Sequence, residues 1–115
     1  MFRIGEFSKI AQVPASLLRY YNDIDLFVPV QIDSDTGYRY ISVEQLGQLN
    51  RILALKELGL ALDQIKQLIK EEVSAEEIRG MLSLRKAQIE QTLQTEAVRL
   101  RAVESRQKQL EKDGG

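Results

Sequence analysis

The spacing of apolar positions changes along this chain, and each change marks an element. Ile4, Phe7, Ile10 and Ala11 recur at helical spacing and predict a short helix over residues 3–11. Gln12-Val13 interrupts it, and Pro14 suits the first turn of a second helix over residues 14–21. In that helix Val13, Leu17, Leu18 and Tyr21 point one way, and Ala15, Ser16, Arg19 and Tyr20 point outward. Residues 27–41 change character. Phe27, Val28, Val30 and Ile32 precede Asp33-Ser34-Asp35-Thr36-Gly37, and Tyr38, Arg39, Tyr40 and Ile41 follow. That order predicts strand, turn and strand, with Gly37 able to take positive φ at the end of the loop. Ser42 and Gln45 form a capping box that opens a helix running to about Leu58, with Leu46, Leu49, Ile52, Leu53 and Leu55 apolar. Gly59 ends it, Leu60-Ala61-Leu62 connects, and Asp63 helps start a further helix that buries Ile65, Leu68 and Ile69.

The last third has a different rhythm. From Ser74 to Lys112 there is no proline, and only Gly80 weakens a continuous helix. Leu82, Ile89, Leu93, Leu100, Val103 and Leu110 follow alternating four-and-three spacing, with Lys86, Glu96 and Gln107 in the same stripe. This is a short, imperfect coiled-coil seam. At about 1.5 Å per residue, some 35 residues reach roughly 50 Å. A domain of this size has no internal surface to absorb such a helix, so those six apolar residues predict pairing with another chain.

The elements together predict a mainly α fold: a winged helix-turn-helix with a small β-hairpin wing over residues 1–72, followed by a long C-terminal coiled-coil helix over residues 74–112. Residues 113–115 read as a linker or a truncation point, and Gly114-Gly115 is where a further domain would begin.

Composition narrows the chemistry. The 115-residue chain has neither cysteine nor histidine. Disulfides, thiolate or imidazole metal sites and the usual general base are therefore absent, and no cofactor or metal is expected. Neighbouring carboxylates such as Glu71-Glu72 and Glu76-Glu77 lie along exposed helix and do not converge, and no glycine-rich phosphate loop occurs, so an enzyme is not expected. No membrane-spanning or signal segment is visible, and a cytoplasmic location is the expectation.

Two short strings carry the candidate function. Leu18-Arg19-Tyr20-Tyr21 lies on the second helix, and Gly37-Tyr38-Arg39-Tyr40 follows the hairpin turn. Arginine and tyrosine together suit a phosphodiester backbone and a base edge. Alternation along the strand places Tyr38 and Tyr40 on one face and Arg39 on the other, while Tyr21 is read as core. Lys66 and Lys70, one turn apart, form a second basic pair, with Lys66 the candidate phosphate contact. The charge balance opposes a nucleic-acid partner. Net charge is −1, and residues 1–41 carry Arg3, Lys9, Arg19 and Arg39 against Glu6, Asp23, Asp25, Asp33 and Asp35. Binding must then rest on the local placement of a few cations.

In this order the words Arg3-Ile4-Gly5-Glu6, Leu18-Arg19-Tyr20-Tyr21, Gly37-Tyr38-Arg39 and Leu58-Gly59 resemble the N-terminal domain of MerR-type transcriptional regulators over residues 3–70, and the following helix matches too. The resemblance implies a homodimer held by an antiparallel coiled coil. It implies binding to palindromic double-stranded promoter DNA with an overlong spacer, which the dimer bends and untwists so that RNA polymerase is served indirectly. Carried over, Ser16, Arg19 and Tyr20 would reach DNA from the second helix, and Tyr38 and Arg39 from the wing. The chain departs from the family at Ser16, where a basic residue is common, at Leu17 (threonine), at Asn22 (glutamate) and at Asp25 (glycine). It also lacks the cysteines of metal-sensing relatives, so a small-molecule effector would act through a C-terminal domain absent from this sequence. The competing expectation is a coiled-coil protein-interaction module whose winged domain does not bind DNA.

Overall fold

The computed structural model describes residues 1–114. In chain order the elements are β1 (Phe2–Arg3), α1 (Ile4–Ala11), α2 (Ala15–Asp23), β2 (Gln31–Ile32), β3 (Arg39–Ile41), a 3₁₀ turn (Val43–Gln45), α3 (Leu46–Glu57), α4 (Leu62–Lys70) and α5 (Ala75–Asp113). They divide into two units, Met1–Ile78 and the chain from Arg79 onward.

In the first unit apolar faces converge on one core. Phe7, Leu18, Phe27, Ile41, Leu49, Ile52, Leu55 and Ile65 are fully buried, with Tyr21, Leu26, Val73 and Ile78 close behind. Phe7 of α1 stacks on Phe27 with ring centroids 6.0 Å apart. Burial also pushes the Tyr21 phenol pKa up, which keeps it neutral. No buried side-chain polar atom lacks a partner among the described residues.

Each helix of this unit stops at a residue in the left-handed region: Gln12 after α1, Asp25 after α2, Gly59 after α3 and Glu72 after α4. Asp25, where the resemblance would place glycine, thus occupies a conformation that glycine adopts freely and aspartate tolerates. The capping box at Ser42 forms: Gln45 Oε1 accepts the Ser42 N–H at 3.0 Å, and Ser42 Oγ accepts the Glu44 N–H at 3.2 Å. The Ser42 hydroxyl also donates to the Glu44 carboxylate, which holds that group below its ordinary pKa.

The structure corrects several expectations. The sheet has three strands in the order β1-β3-β2, because Phe2 pairs with Ile41 and Arg3 with Tyr40. Helix α1 therefore begins at Ile4, with Glu6 Oε1 accepting the Arg3 N–H at 3.1 Å. The first hairpin strand shrinks to Gln31–Ile32. Leu26 and Phe27 donate their N–H groups to the Tyr21 carbonyl, so this stretch turns off the end of α2 and delivers Phe27 to the core. Ile10 remains exposed, since α2, β1 and β3 pack around α1 on its Phe7 side. Leu62 belongs to α4, whose start is fixed by Gln64 Oε1 accepting the Ala61 N–H at 2.9 Å.

In the second unit α5 continues as unbroken helix to Asp113; its bounds, Ala75–Asp113, lie one residue later at each end than the expected 74–112. Gly114 follows, and Gly115 lies outside the described residues. Ile89, Leu93, Leu100, Val103 and Leu110 are all exposed, and Leu82 is half-buried. No described helix is long and apolar enough to cross a membrane.

Candidate nucleic-acid interface

Residues from α1, α2 and the hairpin enclose a shallow cleft of about 420 Å³, lined by Arg3, Ile4, Gly5, Glu6, Lys9, Arg19, Tyr38 and Arg39. Each wall has a local cause. The Arg3–Glu6 cap holds the start of α1, which places Arg3 and Lys9 along one edge. Arg19 comes from the outward face of α2, whose opposite face is anchored by Leu18 and Tyr21. The wing residues are set by an aspartate turn. Asp33 Oδ1 accepts the N–H groups of Asp35 at 2.8 Å and Thr36 at 3.3 Å, and the Asp33 carbonyl accepts that of Gly37 at 2.8 Å. Gly37, at φ +74°, then releases the chain toward the cleft.

Tyr38 and Arg39 reach the same cleft, although strict alternation would have separated them. Tyr38 is not yet in the strand. Its N–H donates to Thr36 Oγ1 at 3.2 Å and its carbonyl accepts the Asp33 N–H at 2.9 Å, so its side chain follows the turn. The Arg3 guanidinium lies 3.5 Å from the centroid of the Tyr38 ring, a cation–π contact between β1 and the residue that precedes β3.

This geometry resolves the charge conflict. All four cations of residues 1–41 line the cleft, whereas of the five acids in that segment only Glu6 does. Asp33 is occupied with the turn. Asp23 approaches Arg39 at 4.0 Å, but its side chain is 66% exposed, so the pair is weak and yields readily to a phosphate. The chain is acidic on average and basic on this face.

The other candidates sit differently. Ser16 and Tyr20 are exposed on α2, outside the cleft lining. Lys66 is not near it. Its Nζ donates to the Ile24 carbonyl at 2.9 Å and so caps the end of α2 from α4. Lys66→Met is expected to lower the stability of the first unit by about 1 kcal/mol in urea unfolding, the worth of one partly exposed charged hydrogen bond. An unchanged midpoint would mean that this bond does not persist in solution. Arg3 and Lys9 belong to the cleft although neither stands beside a tyrosine in the sequence. Their signal was available: they are half of the basic residues before Ser42.

Comparison with known proteins gives a consistent result. The family model for MerR HTH family regulatory proteins matches residues 2–72. The Multidrug-efflux transporter 1 regulator of Bacillus subtilis (strain 168) is 39% identical over 92 residues, covering 80% of this chain and 32% of that protein. The structure of the EcmrR-DNA complex in EcmrR-RPo aligns with a TM-score of 0.64 and 32% identity, over 96% of this chain and 40% of that one. The crystal structure of MtaN, the N-terminus of the Bacillus subtilis multidrug transporter activator, aligns with a TM-score of 0.57 and 27% identity, over 83% of this chain and 93% of that one. The chain spans a third or less of the length of the curated relatives it matches first.

Proposed function

The chain belongs to the MerR HTH family of regulatory proteins, a family of transcription regulators and not of enzymes, and from that premise we propose that it is a sequence-specific DNA-binding regulator acting as a homodimer. One observation carries the reading: Arg3, Lys9, Arg19 and Arg39 gather from three elements into a single cleft beside Tyr38. Helix α2 is the element that would enter the major groove, with Ser16 and Tyr20 beside Arg19 on its exposed side. Arg19 at the edge of that groove, Tyr38 and Arg39 of the wing, and Arg3 and Lys9 would hold the phosphates. Lys66 is left out because its ammonium is already engaged within the fold.

Two copies related by a two-fold axis would read a palindromic promoter, the α5 stripe of Leu82, Ile89, Leu93, Leu100, Val103 and Leu110 joining them. Distortion of that DNA, an effect on RNA polymerase through the promoter, and control by a small molecule through a further C-terminal domain complete the proposal. The likeness to the EcmrR-DNA complex and to a multidrug-efflux regulator supports these finer points.

The test is fluorescence anisotropy with a two-fold-symmetric promoter duplex over a salt series. A dimer that sets all four cleft cations of each protomer on phosphates gives a slope of log affinity against log salt of about −7. A slope weaker than about −2, or no binding at low salt, would overturn the proposal and favour a protein-interaction module.

A further inference from the structure

We propose that α2 recognises thymine, the Tyr20 ring covering a C5-methyl group in each half-site while no base is held by a paired hydrogen bond. The proposal rests on the DNA-binding reading above and adds to it the base that is read and the residue that reads it.

Helical spacing places Ser16, Arg19, Tyr20 and Asp23 on the face of α2 opposite Leu18 and Tyr21, and all four are exposed where those two are buried. Arg19 lines the cleft with Arg3, Lys9 and Arg39, so its guanidinium goes to phosphate in that reading. Asp23 stands two turns after Ser16, about 10 Å along the axis, and lies 4.0 Å from Arg39. A reading helix contacts base edges from its N-terminal residues, so this carboxylate sits at the end that leaves the groove. Ser16 and Tyr20, flanked by the half-buried Ala15, are what remains to meet the bases.

These residue types fit one base better than the other three. Guanine offers two acceptors that arginine or lysine must span, and adenine an acceptor and a donor that an amide matches. The face holds no amide and no second cation, and Asn22, the amide of α2, is half-buried one turn after Leu18. Cytosine presents an amino group that suits a carboxylate, and Asp23 faces the wing. Thymine combines an apolar methyl with an acceptor, O4. An aromatic ring covers the first, and a hydroxyl such as that of Ser16 can donate to the second.

Tyr20 is suited to that cover. Its ring centroid lies 6.2 Å from that of the buried Tyr21, with the planes tilted by 42°, so the ring is braced by a core residue. The residue is nevertheless 49% exposed, which leaves apolar surface open to a ligand. A braced ring loses little freedom on meeting a methyl group, and that is the condition under which covering a single carbon shows as affinity.

The experiment uses the whole chain. Selection from a randomised duplex pool supplies the probe, and fluorescence anisotropy compares that duplex with base-modified copies. Deoxyuridine in place of thymidine removes the methyl and keeps the hydrogen-bonding edge. At one symmetric pair of positions this exchange is expected to weaken binding about tenfold, one buried methyl being lost in each half-site. Replacing guanine by 7-deazaguanine, which lacks the N7 acceptor, should weaken it less than about threefold. These two comparisons leave the protein unaltered. Tyr20→Phe should keep the discrimination between the thymidine and deoxyuridine duplexes, and Tyr20→Ala should reduce it to within about twofold. No salt-sensitive binding to any duplex would overturn the DNA-binding reading and this proposal together. Binding that ignores the methyl at every thymine, or that falls about tenfold with 7-deazaguanine, would overturn the thymine reading alone. Discrimination kept by Tyr20→Ala or lost in Tyr20→Phe would do the same.

Discussion

Replacing Phe7 by alanine is expected to cost the first unit about 3–5 kcal/mol, the usual range for removing a fully buried phenylalanine. Its side chain is 0% exposed and stacks on Phe27, itself 1% exposed. The two come from opposite ends of the helix-turn-helix, one from α1 and one from the segment leaving α2. Removing the ring therefore empties the point where both helices are tied to the sheet, and the lost stacking adds to the lost burial. A domain of this size is stable by only about 5–15 kcal/mol, so one substitution consumes much of that margin. Urea unfolding followed by circular dichroism measures it. A loss below about 1 kcal/mol would show that the neighbouring side chains collapse to fill the site, and would remove Phe7 from its place as the hub of this core.

The same substitution shows how far local pattern reaches. Phe7 is legible as core because it stands at helical spacing between Ile4 and Ala11. Phe27 is legible as apolar but not as a core anchor. Its position depends on the Leu26 and Phe27 N–H groups returning to the Tyr21 carbonyl, a tertiary closure that no periodicity encodes. Phe2–Arg3 was invisible as a strand, since two residues are too few to show alternation and their partners lie nearly forty residues away. The capping box at Ser42 and the glycine stop at Gly59 are readable because each depends on residues within one helical turn.

The candidate interface divides along the same line. Arg19, Tyr38 and Arg39 stood out because arginine and tyrosine adjoin in sequence. Arg3 and Lys9 join them only after β1 pairs with β3 and α1 packs on α2. Lys66 had the residue type and exposed-face spacing of a phosphate contact. Only the folded chain shows its ammonium on the Ile24 carbonyl. Net charge misled for a related reason: it weighs Asp33, which is spent on a turn, equally with Arg19, which faces open solvent.

Arg19→Glu is accordingly the substitution expected to damage promoter binding most while sparing the fold. Arg19 is exposed, lines the cleft and has no ion pair among the described residues, so reversing its charge breaks no ion pair within the protein. Arg39 is a less clean choice, because a glutamate there would also face Asp23. In the proposed dimer the substitution acts twice, removing two cations and adding two anions beside Arg3 and Lys9. Losing one arginine contact costs about 1–3 kcal/mol, so two losses correspond to a fall in affinity of about a thousandfold. The salt slope should weaken by about two, one for each vanished phosphate contact. Helicity and urea midpoint should stay within about 0.5 kcal/mol of the parent, as expected for an exposed position. If Arg19→Glu bound the duplex as tightly and with the same salt slope, α2 would not be the element that enters the groove. The cationic cleft would then have to serve a ligand other than DNA.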